Sequence, residues 1–319
     1  MASNRWLSAP DPEWTTIAST LPSFALPTDV PLSEVRKKYH DDLVPGIKKS
    51  LEPRLPKESE YRTEDHHIPV KGGPILVRCY IPTPVGGERR QFPVMMWYHG
   101  GGWMLADIEF DDYRLRKTCV DLQISIVNVE YRLMPEHSFL TSVNDCYAAV
   151  KWAVSNDDIL SSSPEQALII AGSTAGANTV SVIAHRALED PFFKSRPITG
   201  HAVQSPNLCH CDDYPDRFRD ELLSKDELKD GPLVGRSELM LMYTVAGNSG
   251  MTDMQNPEIA PLLYPSHAGL PPLYIQICGM DSLRDEELLY ERMLREAGVS
   301  RFAALVSQLC AHVVSSRKI

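Results

Sequence analysis

Short apolar runs alternate with amphipathic stretches along most of the chain. The apolar runs have the length of β-strands, and the stretches between them have the length of helices. The runs lie at 93–98, 124–129, 167–171, 198–204, 273–278 and 302–306, and the helical stretches at 142–154, between 171 and 188, and at 284–297. Because runs that are apolar on both faces are typical of covered parallel strands, the pattern predicts an α/β fold with a mostly parallel sheet.

Three further segments complete this picture. Residues 61–82 alternate apolar and polar positions on either side of 71–74, which predicts a β-hairpin. Residues 1–55 are rich in proline and charge, with an amphipathic piece at 32–51, and are predicted to form an N-terminal cap or arm. Residues 208–256 are polar, charged and rich in methionine, and we interpret them as a cap or lid insertion. The core is then predicted at 56–207 and 257–319.

Composition and charge exclude some classes of partner. The 32 basic and 42 acidic residues give a net charge of -10, which disfavours binding to nucleic acid or an anionic membrane. No signal peptide or membrane-spanning stretch is recognised. Seven scattered cysteines, an odd number, suggest reduced thiols and a cytoplasmic location. The run Cys209-His210-Cys211, beside Asp212 and Asp213, lacks the spacing of metal-site pairs, so we predict no metal and no cofactor.

A glycine-rich loop follows the first predicted parallel strand. It reads His99-Gly100-Gly101-Gly102-Trp103. Consecutive glycines allow backbone N–H groups to converge on one point, where they can stabilise an oxyanion. We predict Gly101 and Gly102 as oxyanion-hole donors, and a plain glycine turn is the alternative. Trp103 and Met104 are predicted to line an apolar substrate pocket, as is the run 239–243, for which core packing is the alternative.

A second glycine-containing turn lies between a predicted strand and a helix, at Gly172-Ser173-Thr174-Ala175-Gly176. In the pattern Gly-x-Ser-x-Gly the central residue tops a strained strand-to-helix turn and acts as the nucleophile. The positions of Gly172 and Gly176 place Thr174, and not Ser173, at the apex. We predict Ala175 N–H as a third oxyanion donor and Ser173 as a pocket residue.

An acid and a histidine follow later strands. Asp281 comes after the run 273–278, and His312 comes after the last predicted strand. The chain order of nucleophile, acid and histidine is that of α/β hydrolases. A helix N-cap is the alternative role for Asp281, and a surface position near the end of the sequence is the alternative for His312.

With these motifs the sequence resembles the hormone-sensitive-lipase-like branch of the α/β hydrolases, which includes microbial esterases and plant carboxylesterases. The resemblance covers roughly residues 60–312 and includes the segments 131–137, 256–263 and 269–272. It implies an α/β-hydrolase fold, with a central sheet of about eight strands, helices on both faces and a helical cap. It also implies that His99 belongs to the oxyanion loop, that His137 is structural, and that 284–297 with the last strand could form a homodimer contact.

The sequence departs from the family pattern at its most reactive position. Family members usually have a nucleophilic serine, preceded by an acidic residue, where this chain has Thr174 and Ser173. His312-Val313-Val314 stands where the family has His-Gly-Phe. A threonine keeps the hydroxyl, but its methyl group restricts χ1 and crowds a carbonyl, so we expect impaired ester hydrolysis.

The remaining groups favour a reaction without an acyl-enzyme. We predict a proton-transfer reaction beside a carbonyl, such as dehydration, cyclisation or condensation, on a small apolar carbonyl- or ester-containing substrate of secondary metabolism. Plant hydroxyisoflavanone dehydratases, which resemble carboxylesterases and can carry threonine at this position, offer a precedent. The alternatives are a true esterase or lactonase that uses Thr174, a catalytically dead ligand-binding protein, and an engineered serine-to-threonine variant.

Overall fold

A single eight-stranded sheet organises the chain. The structure, a computed structural model, describes residues 4–10, 12, 16, 27, 30–84, 90–163, 166–231, 234–250 and 252–307. The strands are β1 (Tyr61–Val70), β2 (Gly73–Pro82), β3 (Val94–Tyr98), β4 (Ser125–Val129), β5 (Leu168–Ser173), β6 (Gly200–Gln204), β7 (Leu273–Cys278) and β8 (Arg301–Ser307). Their order is β1-β2-β4-β3-β5-β6-β7-β8. The hairpin β1–β2 is antiparallel, β2 pairs antiparallel with β4, and the other pairs are parallel.

The helices of the described residues connect these strands or cover the site. They are α1 (Leu32–Leu51), α2 (Asp112–Leu122), α3 (Phe139–Ser155), α4 (Asp157–Leu160), α5 (Ala175–Glu189), α6 (Ser224–Glu227), α7 (Arg236–Asn248) and α8 (Arg284–Glu296). None of the helices in the described part of the chain is long and apolar enough to cross a membrane.

The predicted fold class is confirmed, and most errors lie at the ends of elements. The hairpin and α1 agree with the predicted bounds, whereas α3 begins three residues before the predicted 142. The predicted strands at 124–129 and 198–204 begin too early. Ile124 and Ile198 are apolar and buried, but they lie before the first residues of β4 and β6. Apolar periodicity reports burial, which extends beyond the hydrogen-bonded part of a strand.

Helices cover both faces of the sheet. On one face α2 packs against the strands through Leu115 and Cys119, which meet Tyr80, Met95 and Trp97. On the other face lies the larger cluster, to which α3, α5 and α8 contribute buried residues. Every residue of β3 and β4 is buried. These central strands are therefore enclosed along their whole length, and the functional residues have to lie at their ends.

The register of the sheet brings two of the predicted motifs together. Tyr98 at the end of β3 is the partner of Gly172 near the end of β5. The glycine loop that follows Tyr98 and the turn that follows Gly172 therefore leave the same edge of the sheet. The end of β6 lies at the same edge, because Thr174 N–H donates to the carbonyl oxygen of Gln204, the last residue of β6, at 2.8 Å. Carboxyl ends of parallel strands are the usual place for ligands in such sheets.

The segments predicted as caps meet above this edge. The helices α1 and α7 both contribute to an apolar cluster with the residues that follow the glycine loop. We call this the cap cluster. Its members are Leu32, Val35 and Tyr39 of α1, Met104 and Leu105 of the loop, and Met242 and Val245 of α7. The division into 1–55, 56–207, 208–256 and 257–319 stays a prediction.

Candidate active site

Two glycines make the turn after β5 tight. A Cβ atom on Gly176 would lie 2.6 Å from the His99 carbonyl oxygen and closer still to that of Tyr98. A Cβ on Gly172 would lie 2.7 Å from the Gly176 carbonyl carbon. Both positions exclude a side chain because backbone atoms, which cannot swing aside, occupy the space. The glycine spacing therefore reflects a real steric requirement of this strand-to-helix turn.

Thr174 lies at the apex of this turn in a strained conformation. Its φ is 41° and its ψ is -105°. A positive φ is uncommon for a β-branched residue and costs on the order of 1–3 kcal/mol. Thr174 is partly exposed, whereas Ser173 and Ala175 on either side of it are buried. The turn thus holds the threonine in a conformation that the rest of the fold must stabilise.

The Thr174 side chain turns its two branches in different directions. Its Oγ1 accepts a hydrogen bond from Ala175 N–H at 2.6 Å. Its methyl carbon faces the glycine loop, since a Cβ on Gly100 would lie 2.9 Å from it. The N–H group that we predict as an oxyanion donor is therefore engaged by the threonine hydroxyl. A carbonyl oxygen could reach this donor only if the side chain rotated about χ1.

The glycine loop turns sharply after His99. Gly101 and Gly102 have φ values of 111° and 59°. The Gly101 carbonyl oxygen accepts N–H groups from Met104 at 3.2 Å and Leu105 at 2.8 Å. This pair of bonds fixes the direction of the Gly101–Gly102 peptide. The role of the loop as an oxyanion hole stays a prediction.

The His99 ring supports the loop from below. It is fully buried, stacks on Tyr131 with ring centroids 4.3 Å apart, and places Nδ1 2.7 Å from the Gly100 carbonyl oxygen. The Tyr131 hydroxyl donates to the His99 carbonyl oxygen at 2.7 Å. Burial lowers the pKa of His99, which keeps the ring uncharged. These contacts agree with a supporting role for His99 in the loop.

Arg36 of α1 ties the N-terminal helix to the loop. Its guanidinium donates to the Met104 carbonyl oxygen at 2.7 Å and to that of Met134 at 2.6 Å. It also binds both carboxylate oxygens of Glu136 at 2.8 Å. Arg36 was not predicted from the sequence, because nothing local marks a residue whose partners lie 68 to 100 positions away. The signal that the sequence did offer is the segment 131–137, which resembles the family pattern. It contains Met134 and Glu136, which bind Arg36, and Tyr131, which binds His99.

Asp281 lies in the turn between β7 and α8, almost fully buried. Its Oδ1 accepts Leu283 N–H at 3.0 Å, and its carbonyl oxygen accepts Arg284 N–H at 3.1 Å. The first contact closes the turn before the helix and is not an N-cap bond, because Leu283 is the N-cap residue of α8. The buried Arg284 side chain holds this turn, with bonds to Asp285 at 2.9 Å and Glu227 at 3.0 Å. His312, the predicted base, lies outside the described residues.

Two further buried acids stand close to Asp281, and the sequence analysis missed both. Glu286 accepts Leu208 N–H at 2.6 Å and the Tyr214 hydroxyl at 2.7 Å, and burial raises its pKa to about 8. Glu287 is fully buried, and neither of its carboxyl oxygens has a hydrogen-bond partner among the described residues. Burial, with the nearby Asp281 charge, raises the pKa of Glu287 well above its usual value. Both carboxyl groups near Asp281 therefore have raised pKa values.

The predicted pocket residues lie around the loop. Trp103 is buried and packs edge-on against Phe139 at 5.3 Å. Met104 is buried in the cap cluster, and Ser173 lies at the end of β5. In the run 239–243, Leu239 and Tyr243 are buried in the main core, whereas Met242 belongs to the cap cluster. Core packing therefore accounts for Leu239 and Tyr243, whereas a pocket role for this run stays a prediction.

Residues 210–212 form a cluster of possible metal ligands, but polar atoms of His210 and Asp212 already have partners within the protein. Ligand atoms of His210, Cys211 and Asp212 lie within 4.8 Å of each other. However, His210 Nδ1 accepts Asp212 N–H at 3.1 Å, and the Asp212 carboxylate binds Arg236 at 2.7 Å. A cation would have to displace that arginine. The absence of a metal stays a prediction.

Comparison with known proteins identifies the family. A family model described as the alpha/beta hydrolase fold matches residues 95–313, from β3 to beyond β8. The chain belongs to the α/β-hydrolase family. It is an enzyme of the carboxylesterase-like kind, as the sequence predicted.

Three relatives place this α/β hydrolase among known enzymes. Esterase LipI of Mycobacterium tuberculosis is 31% identical over 264 residues, which cover 81% of this chain and 78% of that protein. The versiconal hemiacetal acetate esterase of Dothistroma septosporum is 28% identical, covering 80% of this chain and 74% of that protein. The crystal structure of vibralactone cyclase is 40% identical with a TM-score of 0.88, covering 94% of this chain and 86% of that one.

Proposed function

We propose that this α/β hydrolase closes a ring, or performs a related proton-transfer reaction, beside a carbonyl of a small apolar substrate in secondary metabolism. The observation that carries the proposal is the position of Thr174. At the apex of the turn its methyl faces the glycine loop, and its hydroxyl is bonded to Ala175 N–H. The likeness to vibralactone cyclase supports cyclisation over dehydration or condensation.

The proposed reaction conserves every atom of the substrate. A hydroxyl group within the substrate adds its oxygen to a carbon–carbon double bond conjugated with the carbonyl, and passes its proton to the base, which we expect to be His312 oriented by Asp281. The electron pair of the double bond moves onto the carbonyl oxygen, where Gly101 and Gly102 N–H groups would hold the enolate. The proton then returns to the carbon next to the carbonyl, so no water and no acyl-enzyme is needed.

Hydrolysis through Thr174 is the second candidate. It is favoured by the retained hydroxyl and by the esterases among the relatives. For this route Oγ1 has to leave Ala175 N–H and approach an acyl carbon, while the methyl crowds the same space. A displacement of ~1 Å at such a step costs on the order of a hundredfold in rate.

One substrate separates the two candidates. An ω-hydroxy α,β-unsaturated ethyl ester long enough to close a five-membered ring gives an isomer of unchanged mass by cyclisation, and a free acid by hydrolysis. Chromatography separates the isomer from unreacted substrate, and mass spectrometry identifies the isomer and the acid. We expect the native chain to form the isomer, and Thr174→Ser to gain ester hydrolysis by about a hundredfold on p-nitrophenyl esters.

The proposal fails if the native chain hydrolyses p-nitrophenyl esters at the rate of ordinary family esterases and Thr174→Ala abolishes that activity. Thr174→Val is the matched control, because it keeps the shape and removes only the hydroxyl. Ring closure that persists in Thr174→Val supports a reaction without a covalent intermediate.

A further inference from the structure

The side chain of Met242 lies directly on the second glycine of the predicted oxyanion hole. A Cβ atom on Gly102 would lie 2.8 Å from Met242 Cγ and 2.9 Å from its Cε, and closer still to its sulfur. Side-chain Cβ atoms are essentially never found nearer than 3.0 Å to another heavy atom. The thioether therefore occupies the space beside Gly102 that any larger residue at that position would fill.

Met242 is not part of the face with which α7 packs on the core. Leu239, Tyr243 and Ala246 are the buried residues of α7, at the spacing of one helix face. Met242 is only partly buried and packs against the cap cluster, whereas Val245 packs against both the cap cluster and the main core. The helix α7 thus uses one face for stability and presents another to the glycine loop.

The surroundings of Met242 are apolar. It packs against the buried members of the cap cluster, which are Val35 of α1 and Met104 and Leu105 of the loop. A thioether is only a weak hydrogen-bond acceptor and cannot hold or activate a water molecule as a hydroxyl or carboxylate can. It is also unbranched and flexible, so it can yield to a chain that packs against it.

We propose that Met242 is a specificity-determining residue. Its thioether packs against a hydrocarbon chain of a substrate whose carbonyl group is bound at Gly102, and it keeps water away from that carbonyl group. The inference rests on the proposed function only in taking the glycine loop as the binding site of the carbonyl oxygen. It adds the substrate class: a carbonyl compound with an aliphatic chain on the side that faces α7.

The test compares long and short acyl chains. In the Thr174→Ser background, the ratio of kcat/KM for p-nitrophenyl octanoate to that for the acetate is measured with Met242, Met242→Ala, Met242→Leu and Met242→Gln. Loss of contact with one or two methylene groups predicts a ratio lowered about tenfold in the alanine variant. We expect a similar fall in the glutamine variant and a change within about twofold in the leucine variant, because leucine keeps the apolar volume.

Met240→Ala is the matched control. Met240 lies on the same helix, but its sulfur is 3.9 Å from Cys211 Sγ, in contact with the core and not with the loop. We expect this variant to keep the native ratio. An unchanged ratio in Met242→Ala, or an equal fall in Met240→Ala, overturns the proposal.

A binding measurement needs no turnover and is therefore independent of the reaction type. Methyl ketones with a heptyl or a propyl tail are titrated calorimetrically into the chain with its native Thr174. We expect Met242→Ala to weaken binding of the heptyl ketone about tenfold and to leave the propyl ketone unaffected. Equal effects on both ketones contradict the proposal, even if the chain proves to be an efficient esterase.

Discussion

The tight turn after β5 makes Gly176→Ala a direct test of where Thr174 lies. The added Cβ would stand 2.6 Å from the His99 carbonyl oxygen, whereas ordinary contact begins at 3.4 Å. The start of α5 would have to move by at least about 0.8 Å to clear this oxygen, and by more to clear the closer Tyr98 carbonyl oxygen. Overpacking of this kind costs about 1–3 kcal/mol, and a shift of ~1 Å at a reacting group costs on the order of a hundredfold in rate.

Urea unfolding measures the first effect, with Gly46→Ala as control. Gly46 lies inside α1, and a methyl group added there would meet no atom within 4 Å, so alanine should raise the free energy of unfolding by about 0.5–1 kcal/mol. Esterase activity in the Thr174→Ser background measures the second effect. A Gly176→Ala variant that unfolds at the native urea concentration would show that the turn can accept a side chain, and would remove the steric argument for Thr174 at the apex.

Substitutions at three other positions, with Glu136→Gln as a control, probe buried and partly buried polar groups. Burial lowers the pKa of His267 to about 4, well below the value of ~6.5 in unfolded chains. The unfolded state then binds protons first, so stability should fall as the pH drops from 6.5 towards 4, by up to about 1.4 kcal/mol per unit, and His267→Gln should flatten this fall in urea titrations. Burial raises the pKa of Glu287, which means that its charged form is disfavoured in the fold, so Glu287→Gln should raise the free energy of unfolding at pH 7, and a loss instead would indicate a required acid. Arg36→Ala should lower esterase activity in the Thr174→Ser background about tenfold with little change in Tm, whereas Glu136→Gln, at an exposed partner, should have a small effect.

The sheet could be predicted because its central strands carry their own signal. The strands β3 and β4 are buried along their whole length, so the local run of apolar residues is sufficient to find them. The turn at Thr174 could be placed for a similar reason. Its two glycines are two positions on either side of the apex, and the atoms that require them belong to the turn itself and to the neighbouring strand end.

The contacts that hold the site in place could not be predicted. The side chain of Met242 in α7 lies against Gly102 of the glycine loop, which is far from it in sequence. Arg36 of α1 donates to the carbonyl oxygen of Met104, which is also distant in sequence. Neither contact leaves a local pattern. The burial of the charged run at 284–287 leaves no local pattern either, because four consecutive charged residues are typical of an exposed helix start. All four are buried here, and Arg284 finds its partners in Asp285 and in Glu227 of another helix.

The bonds of Arg36 define the smallest piece of this protein that can be exchanged with a relative. The family match begins at residue 95, but the glycine loop inside it is fastened to a helix that ends at Leu51. A chimera that transplants only the matched part would join this loop to a foreign first helix, and the carbonyl groups of Met104 and Met134 would lose their donor. Carrying α1 along with the core keeps that donor. The segment that has to be transplanted to preserve the glycine loop is therefore longer than the segment that the family model matches.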